Sequence, residues 1–386
     1  AHGVNVGNLL RPSKEVEKNL DLAVNLVRKM DYPTIVEKFK NPLDVAAGVQ
    51  RSAFRAPEGF KLVWADESAV ENRGLGYLAR CNAILDVFKQ GLDPYIAFAV
   101  GMYKQSYEEL LAEFNAGNKE KRTVCKPPVL GGGYALGPGE ERLDTKTGLK
   151  YWTGLQGYAR NMGVELTQEQ ATQAIAVLRR DWKEVTGLWK DMERAAAFAI
   201  RHPGHLTGVG VPELKWEFDL FERLGRNTQD PLLWFKCHSD KVLEMVLPSR
   251  RSLYYWSPRV ETQLKSWTGM KDGRMVTREY DQDVIFYYSK DPKTKQWTET
   301  DTFGGHLVEN ADQAVSRDVL VHAMKVAESR GFAVIGHTYD EVVTLVPIDS
   351  NLGVQELCDC LTDPPDWCGT DFPLGAEGVE SEIYRK

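Results

Sequence analysis

Two adjacent carboxylates, Asp340 and Glu341, sit in a short polar break near the C-terminus. The runs on either side, Phe332-Ala333-Val334-Ile335 and Val342-Val343-Thr344-Leu345-Val346, are apolar and β-branched. That layout reads as a hairpin. Neighbouring acids repel, so a tight turn holding both tends to need a cation or an opposing base, the bland alternative being a solvated turn. Far upstream, Leu62-Val63-Trp64-Ala65-Asp66 also ends an apolar strand on an acid. Carboxylates at strand ends suit Mg²⁺, which takes few protein oxygens and fills its other positions with water and phosphate. The two acids together point to divalent metal; the plainer alternative is a salt-bridged pair at a sheet edge.

A second group is basic. Arg122 and Lys126 are four residues apart in Lys121-Arg122-Thr123-Val124-Cys125-Lys126, so a helix aims both cations the same way. The segment runs into Pro127-Pro128-Val129-Leu130-Gly131-Gly132-Gly133-Tyr134, which suits a packed or ligand-facing surface. No Gly-Lys-Ser/Thr follows the glycines, so this is not a Walker loop. Proline inside a helix removes hydrogen bonds, so a bend or restart is expected after Lys126. Cys358, Cys360 and Cys368 lack C-x-x-C spacing and a fourth ligand, and His202 and His205 flank a Pro-Gly turn. Neither set reads as a zinc site.

These groups must be positioned by strands and helices whose patterns are legible. Ser13 is a plausible N-cap for a helix through Met30, with Leu20, Ala23, Val24 and Val27 on one face. The spacing predicts another helix from Ser68 towards Lys89, which places Glu71 and Arg73 in its first turns. From about Pro94 to His202 the pattern is mostly helical, its last long piece, Thr167 to Ile200, opening on a Thr167/Gln170 capping box. After Pro203-Gly204 the chain turns aromatic-rich and β-like at 232–235, 242–246, 253–256 and 284–288. A helix from about Leu307 to Ser329 leads to the Asp340 hairpin. The class is α+β, a sheet-based lobe interrupted by a helical one.

With 386 residues, 42% hydrophobic and 27% charged, the composition is that of a globular protein with a large core. No window reaches the apolar length needed to cross a bilayer, and no membrane partner is expected. Six cysteines in so long a chain fit reduced thiols and a cytoplasmic location, the host cytoplasm for a viral protein. A net charge of −7 does not advertise nucleic acid over the whole surface, although a local basic cleft is compatible with it.

Motif by motif, the chain resembles the polymerase region of family A DNA polymerases, most of all their bacteriophage versions. Asp66, Ser68, Glu71 and Arg73 match an Asp-x-Ser-x-x-Glu-x-Arg stretch. Arg122, Lys126, Leu130, Gly131 and Tyr134 match an Arg-x-x-x-Lys segment that continues to an aromatic, Gly and Tyr. Tyr339-Asp340-Glu341 matches a His-Asp-Glu hairpin. The 308–318 helix and the Leu247-Pro248-Ser249-Arg250-Arg251 turn are also similar, and all five occur in the family's order.

The resemblance implies a right-hand polymerase core with an antiparallel palm sheet and a mostly helical fingers lobe. Palm would be 1-74 and 231-386, and fingers 75-230. Asp66, Glu67 and Asp340 would hold two Mg²⁺ ions, with Mn²⁺ as a substitute. Arg122 and Lys126 would grip the dNTP triphosphate, with Tyr95 where relatives often have a phosphate-contacting His. Glu71 would crowd the 2′ position of the sugar, and Tyr134 would lie beside the templating base. Arg73, Gln313, Asn5, Asn8 and Glu341 would contact a DNA primer-template. Leu130 stands where relatives stack an aromatic on the nucleotide, and Tyr339 stands in place of the hairpin His.

The helical thumb and 3′–5′ exonuclease lobes of relatives are not expected within these residues. The expectation is therefore a catalytic subunit, or a fragment, working with a separate thumb/exonuclease polypeptide. Two other readings stay open: a single-subunit RNA polymerase, against which Glu71 argues, and a catalytically silent DNA-binding or clamp subunit.

Overall fold

The computed structural model describes residues 12–145, 147–210, 231–239, 241–271, 274–369 and 372–385. Its strands are β1 (Phe60–Glu67), β2 (Glu141–Leu143), β3 (Lys150–Trp152), β4 (Leu206–Gly208), β5 (Trp234–His238) and β6 (Val242–Val246), then β7 (Ser252–Lys271), β8 (Arg274–Lys290), β9 (Trp297–Thr302), β10 (Ala333–Thr338), β11 (Glu341–Pro347) and β12 (Ala376–Ser381). Every pairing among these strands is antiparallel. Helices and antiparallel sheets mix as the α+β reading expected. Contacts divide the described residues between two compact units. One draws on Ala1–Val70, Arg317–Pro365 and Leu374–Lys386, the other on Glu71–Ser316 and Asp366–Pro373.

The first unit is built on a four-stranded sheet in the order β10-β11-β1-β12. Its inner strand β1 is buried on both faces, which is why its sequence is an unbroken apolar run rather than an alternation. Val63 and Ala65 pack with Leu320, Ala323, Val342, Val346 and Leu357. Leu62 and Trp64 pack with Tyr384, whose ring meets Trp64 edge-on at 5.3 Å. Each such large apolar side chain contributes about 1.5–3 kcal/mol by leaving water.

At the start of the described chain, short helices enclose Val16, Leu20, Ala23, Leu26, Ile35, Phe39 and Val45. Ser13 caps as expected, its hydroxyl accepting from the Val16 N–H. The helix to Met30, however, is two helices, Lys14–Lys18 and Leu20–Arg28. Between them Asn19 leaves helical geometry and its side chain donates to the Glu15 carbonyl at 3.1 Å. An Asn that bonds the nearby backbone competes with the helix.

In the second unit the expected Ser68–Lys89 helix is likewise broken, into Val70–Ala79 and Asn82–Lys89. Arg80 takes a left-handed φ of 51°, the Arg80 N–H donates to Tyr77 O, and the Cys81 N–H donates to Gly76 O at 2.9 Å. This is a Schellman ending with arginine where glycine is usual. The Thr167/Gln170 capping box forms in both directions, at 3.1 and 2.9 Å. Its helix ends at Asp181, and buried Trp182 interrupts before Lys183–Arg201, meeting Phe98 edge-on at 5.7 Å. The predicted β-like segments lie in β5, β6, β7 and β8 of a six-stranded sheet ordered β4-β5-β6-β7-β8-β9.

The basic segment is one helix, Glu120–Gly131, running through Pro127 and Pro128 without the expected break. Both rings are buried, so packing offsets the hydrogen bonds that proline cannot make. The glycines after it are demanded by close approach. A Cβ at 131 would lie 2.7 Å from the Tyr158 ring, one at 132 would strike Leu178, and one at 133 would strike Leu75. Gly133→Ala should therefore cost about 1–3 kcal/mol by overpacking. Thermal melting checks this, and an unchanged midpoint would mean that Leu75 yields freely.

Candidate functional site

In the first unit, register brings the acids together. Asp66 lies opposite Glu341 on one neighbouring strand and Glu377 on the other. One step on, the Glu67 N–H donates to the Asp340 carbonyl at 3.0 Å. The two hairpin acids do not share the turn. Tyr339 and Asp340 form it, Tyr339 with a left-handed φ of 54°, while Glu341 is the first residue of β11. The adjacent-acid repulsion is thus relieved by separation: Asp340 stays partly exposed, and Glu341 is 1% exposed, its Oε1 accepting from the Tyr384 hydroxyl.

Glu67 is a buried acid of this unit. It is 2% exposed, and neither carboxyl oxygen has a hydrogen-bond partner among the described residues. Burial first, and the charge of Asp340 second, push its pKa up to about 9. An orphaned buried carboxyl beside a second carboxylate is an all-oxygen donor set of the kind hard cations take. Among the described residues no cluster of three or more His, Cys, Asp or Glu could hold a metal. Mg²⁺ does not need one, because one or two carboxylates with water and phosphate suffice. The residues therefore fit such an ion.

In the second unit the basic helix meets its expected companion. The Arg122 guanidinium lies 4.9 Å from the Tyr95 ring centre and the Lys126 ammonium 5.7 Å. Three predicted nucleotide-site residues are thus assembled. A fourth member, unforeseen, is Asp93. One of its oxygens pairs with Arg122 at 2.7 Å, and the other caps the helix Pro94–Tyr103 through the Tyr95 and Ile96 N–H groups. The cap was readable from Asp-Pro, but the ion pair joins residues 29 apart. Phe114 adds a second ring, 5.0 Å from Arg122. Among the described residues Lys126 has no carboxylate partner.

Other expected residues are placed as follows. Tyr134 is partly buried in a 3-10 turn after the glycines, and its hydroxyl donates to Asp312 Oδ2 at 2.5 Å. Burial and the charge of Asp312 raise its pKa, with smaller effects from Glu71 and Glu309. Leu130 is half-buried and Gln313 exposed. Arg73 donates to the Pro373 carbonyl at 2.6 Å and stacks on Phe88 at 4.1 Å; burial lowers its pKa to about 10. Arg251 donates to the Ala314 carbonyl at 2.7 Å, which ties the Leu247–Arg251 turn to the long helix Gly304–Ser329. Asn5 and Asn8 lie outside the described residues.

Asp312, which holds the Tyr134 hydroxyl, is not among the residues that the motifs single out. Its signal was present: with Val308, Ala311, Val315 and Val319 it occupies one buried helical stripe, and it is the only acid there.

The chain is similar to DNA polymerases, which is what the motif order implied. It is 26% identical over 383 residues to the DNA polymerase of Bacillus phage SP02, covering 99% of this chain and 50% of that protein. It is also 28% identical over 162 residues to DNA polymerase I of Pseudomonas aeruginosa, covering 41% of this chain and 14% of that one. A third relative, DNA polymerase I B, mitochondrial, of Oryza sativa subsp. japonica, is 30% identical over 157 residues, covering 38% and 14%. The chain spans about half the length of the phage relative and a smaller share of the other two. Among solved structures it resembles the POL domain of Pol1 from M. smegmatis in complex with DNA primer-template and dNTP, with a TM-score of 0.43 and 14% identity over 86% of this chain and 41% of that one. No protein-family model matches it. Among the described residues no helix is long and apolar enough to cross a membrane.

The state of Glu67 has a measurable consequence. Its folded pKa lies above the ordinary glutamate value of 4.5, so the folded chain binds the extra proton between those limits. Stability then falls as pH rises from about 4.5 to about 9. Glu67→Gln should flatten that decline and raise the melting temperature near pH 8. Melting curves across this range in metal-free buffer check it, and parallel slopes for both proteins would contradict the burial effect.

Proposed function

We propose that this chain is the palm and fingers portion of a template-directed DNA polymerase of the family A type. The reaction is attack of a primer 3′-hydroxyl on the α-phosphate of a dNTP, with release of pyrophosphate. Palm is assigned to 1-74 and 231-386 and fingers to 75-230. The observation that carries the reading is the grouping of Arg122, Lys126 and Tyr95. Two cations beside an aromatic ring suit a triphosphate, and motif position nominated all three residues.

Roles follow from chemistry. Lys126, unpaired among the described residues, offers a full positive charge to phosphate oxygens. Arg122, braced by Asp93, presents its remaining N–H groups in a fixed direction, so little entropy is lost on binding. Holding the phosphates in line and offsetting their charge is most of what phosphoryl transfer requires of a protein. Tyr95 adds a hydrogen-bond donor without charge. Asp66, Glu67 and Asp340 would hold Mg²⁺, or Mn²⁺ in its place. When bound, such ions lower the pKa of the attacking hydroxyl and stabilise the leaving oxygens. Glu71 would exclude a ribose 2′-hydroxyl, and Tyr134 and Leu130 would line the base side. Gln313, exposed on the long helix, and Arg73 would face primer-template DNA, with Asn5 and Asn8 assigned the same role.

Primer extension with labelled DNA and dNTPs tests the proposal. Asp66→Ala and Asp340→Ala should abolish extension while leaving primer-template binding in place. Lys126→Ala should lower kcat by roughly 10²–10³, the usual loss for one preorganised charge-stabilising donor. Extension by both aspartate variants at the wild-type rate would end the reading.

A further inference from the structure

On the buried side of the helix Gly304–Ser329, one acid interrupts an apolar stripe. Asp312 is 0% exposed, and its Oδ1 has no hydrogen-bond partner among the described residues. Its other oxygen receives the Tyr134 hydroxyl. Oδ1 occupies the space beside Gly74 that a side chain would need, so a Cβ there would overlap it. Ser316, one turn further on, has a buried hydroxyl that also lacks a partner among the described residues. Glu71 lies one turn before Gly74 on the helix Val70–Ala79, and its charge reaches both Asp312 and Tyr134.

A carboxyl buried in this way is expensive. An apolar side chain of similar volume at 312 would be as stable or more so, since a half-satisfied buried acid forfeits solvation without full repayment. Stability therefore does not explain the residue. Its contacts do: one carboxyl group touches the residue assigned beside the base and the helix turn that carries the residue assigned beside the sugar. A pocket wall discriminates between substrates only if it does not yield.

We propose that Asp312 is a positioning residue for sugar selection, holding Tyr134 and bracing the helix at Gly74 so that Glu71 keeps its place against a ribose 2′-hydroxyl. The inference rests on the polymerase reading above and assigns the nucleotide specificity of that same site to a residue outside it. Asp312 itself touches no substrate; it acts through Tyr134 and Glu71.

The test compares single-nucleotide insertion of dNTP and rNTP by wild type, Asp312→Ala, Asp312→Asn and Tyr134→Phe, with a melting temperature for each. Asp312→Ala and Tyr134→Phe should raise the rNTP-to-dNTP ratio of kcat/KM by roughly 10–200-fold, the range produced by a one-group misfit in a pocket. For Asp312→Ala the rise should come from the rNTP value, with dNTP insertion little changed. Asp312→Asn keeps the shape and an acceptor for Tyr134, so it should restore most of the discrimination. A purely structural role would shift the melting temperature and both nucleotides together, leaving the ratio unmoved. Folded Tyr134→Phe with the wild-type ratio overturns the proposal, and that variant decides the matter even where Asp312→Ala does not fold. Wild type that inserts no nucleotide at all defeats the polymerase reading itself, a result distinct from an unchanged ratio in an active enzyme.

Discussion

The pairing of β1 with β11 is the constraint from which the acidic cluster of the first unit follows. Phe60 to Asp66 align with Pro347 to Glu341, across nearly the whole chain, and the Glu67 N–H closes the ladder on the Asp340 carbonyl. Register at a strand buried on both faces is tightly set, because a slip of one residue would exchange Val63 and Ala65 with Leu62 and Trp64. Packing of these apolar residues therefore sets where the carboxylates stand. The acids do not hold the strands together; the strands hold the acids together against their repulsion.

The helical unit solves a related problem with cations. Arg122 would lose hydration on partial burial, and Asp93 compensates while also capping a neighbouring helix. Tyr95 and Phe114 supply ring faces, an environment that favours a guanidinium and still leaves its outer edge usable. Lys126 receives no such carboxylate among the described residues, so its charge is the more available of the two. The two cations share a helix face, yet their surroundings differ.

Several features cost free energy locally and are sustained by their surroundings. Tyr339 and Arg80 take left-handed backbone without being glycine, two prolines lie within one helix, and Glu67 and Asp312 are buried carboxyls with oxygens that have no hydrogen-bond partner among the described residues. Strain of this kind concentrates where a structure is committed to more than stability. Tyr339 and Glu67 flank the acidic tips, while the prolines precede the glycine run that leads to Tyr134.

Local patterns in the sequence carried the class and much of the local structure. The Ser13 and Thr167 caps, the Arg122/Lys126 spacing and the apolar runs of β1, β10 and β11 were all readable, because each depends on residues a few positions apart. Motif order carried the likeness to polymerases as well. Helix breaks at Asn19, Arg80 and Trp182 were not readable, since one side-chain bond, one left-handed residue or one buried ring decides each. The continuity of the helix through Pro127 and Pro128 was settled by burial of their rings, which composition cannot reveal. Tertiary structure alone joined Asp93 to Arg122, Tyr134 to Asp312 and Glu67 to Asp340. Those pairings span from tens to hundreds of residues, and they exist only because packing of the apolar elements around them leaves each polar group a single place to be.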